Sequence, residues 1–224
     1  MNIVDGSIKT VRAGGSLLVK LGDKRIGLSG IIRGLKVKRT GVGLEKIALS
    51  LVSARIDNPC SVLQVLEDLK TNSSTPMELG LDPADLSAGS FYRGLGLLGS
   101  HADQIYSKAV DSFSKIVDVD FSCVFMDWSS VVLYGDCCEL AKRGFSKDKR
   151  PDKKQLKIGV AVANGSSIAF HYSVEEGNLL DLEQFQKDFE KIQDRIPVGS
   201  LIVFDKGANT AENLKRVTEK HDYL

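Results

Sequence analysis

Two aspartates occupy positions from which paired carboxylates could act on phosphate esters. Asp127 lies in an apolar run that begins at Phe121, and Asp205 directly follows the short apolar run 201–204. If the two runs are neighbouring strands, the carboxylates converge where ligands of open α/β sheets gather. Close carboxylates bind Mg²⁺ or Mn²⁺, and two ions about 3.5–4 Å apart can activate a water and stabilise the leaving oxygen of a phosphodiester. An aspartate after a strand is also a common turn residue, so the pattern alone leaves both interpretations open.

The second half of the chain contains the strand signals that this convergence needs. Apolar and β-branched runs predict strands over residues 121–126 with 131–134, 155–162, 167–172 and 201–204. The dipeptide Asn164-Gly165 predicts a tight hairpin turn between the second and third strands, because both residues tolerate positive φ. The fourth strand is wholly apolar, which is typical of a buried parallel strand.

Two helices are predicted around the fourth strand. Asp181 and Gln184 form a capping-box pattern at the start of the first helix, and Asn209 with Glu212 forms a similar pattern at the start of the second. The resulting order, β-β-β-α-β-α, is the opening order of the RNase-H-like fold. In that fold the first and fourth strands lie side by side, so Asp127 and Asp205 are expected on neighbouring strands of a mixed sheet.

The first part of the chain is predicted to be helical. Apolar residues recur at helical spacing over three segments, 44–56, 61–69 and 105–116. We therefore predict two domains, a mainly helical N-terminal region over 1–120 and an α/β domain over 121–224.

Composition and targeting signals narrow the class of protein. Of the 224 residues, 42% are hydrophobic and 26% are charged, which is ordinary for a globular protein with a sizeable core. No basic region followed by an apolar run opens the chain, and no run of 18 apolar residues occurs, so we expect a cytoplasmic protein without a membrane span. The cysteines form no C-x-x-C pair and are expected to be reduced thiols: Cys60, Cys123, Cys137 and Cys138.

Positive charge is concentrated between Lys142 and Lys157, although the net charge of the chain is only +1. Such a segment can follow a DNA backbone and bind it with little sequence preference, while a solvated basic loop is the alternative interpretation. The candidate DNA-binding residues are Lys147, Lys149, Arg150, Lys153 and Lys154.

We expect structural roles for the histidines and the tryptophan, two residue types that often mark functional sites. His101, His171 and His221 have no metal-ligand spacing and are expected at the surface or partly buried. Trp128 is expected in the core, with stacking on a DNA base as the alternative.

Four ordered segments carry more specific motifs. Asp127-Trp128-Ser129 has the form D-x-[ST], and residues 144–155 have the form G-x-S-K-x-x-R-P-D-x-x-Q. Residues 177–181 have the form G-N-x-x-D, and residues 205–213 follow D-[RK]-G-x-x-S-x-x-N except that Thr210 stands where serine is usual. This series resembles the DDE-type transposases of prokaryotic insertion sequences, in their insertion-sequence-four-like branch. The segment 92–95, Tyr-Arg-Gly-Leu, is also similar to the family's helical N-terminal domain, so the resemblance spans roughly residues 40–224.

The resemblance implies an activity, a cofactor and partners. Asp127 and Asp205 would be the first two metal-binding carboxylates of the DDE triad, with Mg²⁺ or Mn²⁺ as cofactor. The reaction would be hydrolysis of a phosphodiester at a transposon end, followed by attack of the freed 3′ hydroxyl on another strand. The implied partners are transposon-end DNA and either a second copy of the chain or full-length transposase.

No residue of this sequence matches the third acidic residue of the triad. In the family it lies well beyond the second aspartate, and Glu212 is too close to Asp205 to replace it. We therefore expect a truncated RNase-H-like domain that is inactive alone. Two rival functions remain: a catalytically dead remnant that binds DNA or transposase, and, with less support, a metal-dependent phosphatase or nuclease that uses Asp127 with Ser129.

Overall fold

The computed structural model of the chain describes residues 10–37, 41–135, 137–145, 150–165 and 168–224. The chain forms two compact units, Met1–Ile116 and Val117–Leu224. The sequence placed the boundary after residue 120, and the structure places it after Ile116, between the last helix of the first unit and the first strand of the second.

The first unit is helical in the part that the structure describes. Its helices are α1 (Gly14–Ile26), α2 (Leu28–Arg33), α3 (Leu44–Asp57), α4 (Val62–Thr71), α5 (Thr75–Leu79), α6 (Ala88–Ser100) and α7 (Ala102–Ser114). The three predicted helical segments correspond to α3, α4 and α7, so the helical prediction for this region is confirmed. Ser61 caps α4, because its hydroxyl accepts a hydrogen bond from the Gln64 amide at 3.3 Å.

The core of the first unit forms where α3, α4 and α6 meet. Phe91 and Ile47 are completely buried there, together with Val65 and Leu69. Gly94 lets α6 approach α3 closely, since a Cβ at this position would lie 2.9 Å from Ile47 Cδ1. The glycine of the 92–95 segment therefore has a packing role.

The second unit is a mixed α/β domain. Its elements are β1 (Asp120–Leu133), β2 (Lys154–Asn164), β3 (Ala169–Glu176), α8 (Asp181–Ile192), β4 (Leu201–Phe204), α9 (Ala211–Thr218) and β5 (Asp222–Tyr223). The five strands lie in the order β3-β2-β1-β4-β5. β2 is antiparallel to β1 and β3, whereas β4 is parallel to β1 and β5. The expected β-β-β-α-β-α order is observed, and a short fifth strand follows it.

The strand predictions differ from the structure only in their bounds. The runs 121–126 and 131–134 are the two ends of one continuous strand, β1. The hairpin between β2 and β3 is present, and Gly165 at its turn has a φ of +69°, a conformation that glycine adopts without strain.

One face of the sheet packs against α8. Along β1, Val124, Met126 and Trp128 are buried, and the intervening residues point to the opposite, exposed face. The ring of Phe185 on α8 lies 4.6 Å from that of Phe204 and 5.9 Å from that of Trp128. Trp128 is only 2% exposed, so its predicted core position is confirmed.

The two predicted capping boxes are wrong. Leu180 precedes α8 without a side-chain cap, while Gln184 is buried and donates to Ser173 Oγ at 3.0 Å. The residue that caps α9 is Thr210, whose hydroxyl accepts from the Asn213 amide at 3.2 Å. In both cases another partner satisfies the polar groups at the start of the helix better than the predicted local bond. For α8 this partner is distant in sequence, and for α9 it is a neighbouring hydroxyl.

Glu212 is also not a cap. It forms an exposed ion pair with Arg216 one turn along α9, at 3.0 Å. Within the described residues, no helix combines the length and apolar character that crossing a bilayer requires.

Candidate metal site

The parallel pairing of β1 with β4 places Asp127 beside Asp205. The last paired residues of the two strands are Met126 and Phe204, and the next residue along each strand is one of the aspartates. Neighbouring strands lie about 4.8 Å apart, so the two backbones are adjacent at this point. Asp205 keeps an extended backbone, with φ −70° and ψ 150°, so the strand geometry continues through it.

The two carboxylates share a face of the sheet. Met126 and Phe204 both point toward α8, because Met126 is 3% exposed and Phe204 contacts Phe185. Successive side chains of a strand alternate, so Asp127 and Asp205 both point away from α8. Both residues are exposed, which leaves their oxygens accessible to an ion and its water ligands.

The chemistry of this pair suits a hard divalent cation. One oxygen of Asp127 accepts a hydrogen bond from the Trp128 amide at 2.8 Å, which restricts the orientation of the carboxylate. Carboxylate oxygens that share coordination with water are typical Mg²⁺ ligands. Across the described ranges, no group of three or more histidine, cysteine, aspartate or glutamate side chains is arranged to hold a metal ion.

The surface around the pair is partly apolar. Phe125 and Val131 lie on the same face of β1 as Asp127 and are 46% and 43% exposed. Ser129, the third residue of the D-x-[ST] motif, is also exposed on this face. The alternation of β1 thus gathers the polar members of that motif on one surface and leaves Trp128 in the core.

Gln155 joins the segments that precede β2 and follow β3. Its side chain is 1% exposed, and Nε2 donates to the carbonyl oxygens of Phe145 at 2.7 Å and Gly177 at 2.9 Å. Gly177 has no room for a side chain, because a Cβ there would lie 1.9 Å from the Gln155 carbonyl oxygen. Gly144 is similarly constrained, with a Cβ position 2.4 Å from the Gly177 carbonyl oxygen. These motif residues therefore hold two loops together at close backbone approach.

The basic segment is less uniform than its sequence suggested. Lys147 and Lys149 lie outside the described residues. Arg150 forms a two-point ion pair with Asp152, with both bonds at 2.9 Å. This bond raises the pKa of Arg150 and lowers the pKa of Asp152 to about 2. Lys153 lies over the ring of Tyr134, with Nζ 5.3 Å from its centroid.

Lys154 and Lys157 differ sharply, although both lie on β2. Lys154 begins the strand and is partly exposed. Lys157 is 8% exposed and forms an ion pair with Asp181 at the start of α8. The interpretation of the whole stretch from Lys142 to Lys157 as a DNA-facing surface is therefore wrong at its last residue, because alternation along β2 turns Lys157 inward.

The three histidines lie in different parts of the structure. His101 Nδ1 lies 3.0 Å from both Ser100 Oγ and the Leu97 carbonyl oxygen. His171 is half-buried and bonds to Asp188, whereas His221 is buried and neither of its ring nitrogens has a partner among the described residues. Burial, reinforced by nearby Lys220, lowers the pKa of His221.

Asp188 is the centre of a buried polar network that was not predicted from the sequence. Its carboxylate accepts hydrogen bonds from Trp128 Nε1 at 2.9 Å and Ser173 Oγ at 2.9 Å, and its other oxygen lies 3.1 Å from His171 Nε2. A signal was present in the sequence: Asp188 falls on the apolar helix face that includes Phe185. A charged residue on such a face must find buried partners.

The cysteines are all unpaired thiols: Cys60, Cys123, Cys137 and Cys138. Burial, with Asp120 nearby, raises the pKa of the Cys123 thiol.

Comparisons with known proteins add little to what this geometry shows. No family model matches the chain, and no curated protein matches it. Among solved structures, it is similar to the Mos1 transposase in its paired-end complex with the left transposon end, with a TM-score of 0.31 and 14% identity. The match covers 85% of this chain and 61% of that chain, so this chain spans less than two thirds of its length. At a TM-score of 0.31 the likeness carries no weight for function.

Proposed function

We propose that the chain belongs to a DDE-type transposase of an insertion sequence, and that its second unit is an RNase-H-like domain that binds Mg²⁺ or Mn²⁺ through Asp127 and Asp205. The observation that carries this proposal is the parallel register that sets the two aspartates side by side on one exposed face. The ordered motifs are its second support. A bound ion would supply a water nucleophile and neutralise charge on the phosphodiester.

Residues of the chain would have distinct roles toward metal and DNA. Asp127 and Asp205 would ligate the ion, with the Trp128 amide orienting Asp127. Arg150, Lys153 and Lys154 would contact phosphates without reading bases. Lys157 would take no part, because its ammonium group is already paired with Asp181.

Titration with Mn²⁺ tests the metal site directly. The full 224-residue chain should bind Mn²⁺, and either Asp127→Asn or Asp205→Asn should abolish that binding. Asp120→Asn is the matched control, because Asp120 is an exposed aspartate at the far end of β1, about 20 Å from Asp127 along the strand. Unchanged Mn²⁺ affinity in both test variants would overturn the proposal.

Incubation with duplex DNA and Mn²⁺ separates catalysis from binding. Because no residue matches the third acidic residue of the triad, we expect no cleavage by the chain alone. Cleavage that disappears in Asp205→Ala would overturn this expectation and assign a hydrolytic role to the chain itself. Retention of DNA without cleavage would leave the role of a DNA-binding remnant.

A further inference from the structure

The residues after β4 form a short turn that directly follows Asp205. The turn spans Lys206–Ala208, and the Ala208 amide donates to the Asp205 carbonyl oxygen at 3.0 Å. The Asn209 amide donates to the Lys206 carbonyl oxygen at the same distance, 3.0 Å. Three residues of 3₁₀ helix have little stability of their own, so the turn depends on what it packs against.

Asn213 fastens one side of this turn to α8. Its Nδ2 donates to the carbonyl oxygens of Ala208 at 2.8 Å and Leu182 at 3.2 Å, and its Oδ1 accepts from Gln186 Nε2 at 2.9 Å. The side chain is completely buried. Asn213 thus uses both its donor and its acceptor to join the end of the turn to the first residues of α8.

Asp181 lies next to the other side of the turn. One of its oxygens accepts from Lys157 Nζ on β2, and the other lies 3.1 Å from where a Cβ on Gly207 would be. The turn therefore rests against a carboxylate that is itself anchored to β2. Lys157 pairs in register with Ser130 of β1, the strand that carries Asp127.

A continuous set of contacts therefore connects the two aspartates of the candidate site. It runs from β1 to Lys157 on β2, then to Asp181, and then to the turn that follows Asp205. We propose that Asp181 and Asn213 are positioning residues, which act through this turn to hold Asp205 at the distance from Asp127 that a shared ion requires. This inference rests on the proposed function, because it concerns the same metal pair.

The test is Mn²⁺ titration of the full chain carrying Asp181→Asn, a substitution that keeps the shape of the side chain and removes its charge. Loss of groups that orient metal ligands typically costs about 10–100-fold in affinity, so we expect the Mn²⁺ dissociation constant to rise at least about tenfold. Asn213→Asp, which cannot donate to Ala208, should act in the same direction. The matched control is Glu175→Gln, because Glu175 forms an ion pair with Lys187 of α8 and lies on β3, which β2 and β1 separate from β4.

Gly207→Ala separates geometry from charge. It removes no charge and adds a methyl group 3.1 Å from the Asp181 carboxylate, so the turn or the carboxylate must give by a few tenths of an ångström. We expect weaker Mn²⁺ binding here too, and faster hydrogen exchange at the amides of Ala208 and Asn209 in the absence of metal.

The outcomes distinguish this inference from the proposed function. If the unsubstituted chain binds no Mn²⁺, the proposed function fails and this inference fails with it. If the chain binds Mn²⁺ through Asp205 but Asp181→Asn, Asn213→Asp and Gly207→Ala leave the affinity unchanged, only the inference is overturned. A lower melting temperature at unchanged Mn²⁺ affinity would likewise show a purely structural role and overturn it.

Discussion

Trp128 donates its indole N–H to Asp188 across the interface between β1 and α8, at 2.9 Å. Trp128 is the single tryptophan of the chain and adjoins Asp127, so its fluorescence reports on the sheet close to the candidate metal site. The bond also explains how a carboxylate that is 1% exposed is tolerated in the core.

Replacing Asp188 should destabilise the second unit strongly. Asp188→Ala removes the acceptor for Trp128 and Ser173, and buried donors left without partners cost about 1–3 kcal/mol each. We expect the free energy of unfolding to fall by about 3 kcal/mol or more, measured by denaturant unfolding followed by Trp128 fluorescence. Glu190→Gln is the control, an exposed carboxylate on the same helix, and should change stability by less than about 0.5 kcal/mol. Equal effects of the two substitutions would show that the network contributes no stability.

Gly177→Ala should disrupt the junction with Gln155. The added Cβ would lie 1.9 Å from the Gln155 carbonyl oxygen, so the backbone must move. Overpacking of this kind typically costs about 1–3 kcal/mol, and we expect a loss near the upper end because the obstructing atom is backbone. Gly135→Ala is a matched control, since a Cβ there meets nothing within 4 Å. A melting temperature that falls equally in both variants would contradict this explanation.

Charge reversal at Arg150, Lys153 and Lys154 should weaken DNA binding. It should also make the remaining binding less dependent on salt concentration. Each lost phosphate contact lowers the slope of log affinity against log salt by about 0.9 for duplex DNA. Arg150 must break its ion pair with Asp152 before it can bind a phosphate. Its contribution to the salt slope should therefore be smaller than that of either lysine. Fluorescence anisotropy at several salt concentrations measures the slope, with Lys187→Glu as a reversal elsewhere on the unit. Unaltered slopes in the triple variant would mean that the segment is only a solvated loop.

His221 should make the second unit less stable in mild acid. Burial lowers its pKa in the folded chain below the usual value of 6.5, so the unfolded chain takes up a proton first as pH falls. The stabilisation due to neutral His221 is therefore complete above about pH 6.5 and is lost as pH falls from there toward the lowered pKa. Each unit of pKa depression corresponds to about 1.4 kcal/mol.

The measurement is the free energy of unfolding between pH 8 and pH 5, compared with that of His221→Phe. The phenylalanine keeps an aromatic ring beside Phe189, whose ring lies 5.9 Å from that of His221, and it cannot take up a proton. As pH falls, the free energy of unfolding of His221→Phe should rise relative to that of the unsubstituted chain. A constant difference across this range would rule out a contribution from His221.

The sequence by itself determined many of the local elements. It also led to the expectation that Trp128 lies in the core, which the structure confirms. The position of Asp127 on the opposite face follows from the alternation of side chains along the observed strand β1. The hairpin at Asn164-Gly165 and the helices α3, α4 and α7 of the first unit were predictable, since turn chemistry and helical periodicity act over a few residues. The order of elements also led to the expectation that β1 and β4 are neighbours, and the structure pairs them.

Only the tertiary structure decided which polar groups pair. Lys157 looked like one more cation of a basic segment, and Asp181 looked like a helix cap, yet each is the partner of the other. Asp188 gathers donors from two strands, and Asn213 joins a turn to a helix 31 positions earlier in the chain. Such partners are chosen by proximity in the folded chain and by the cost of leaving a buried polar group unpaired. Neither quantity is visible in the spacing of residues along the sequence.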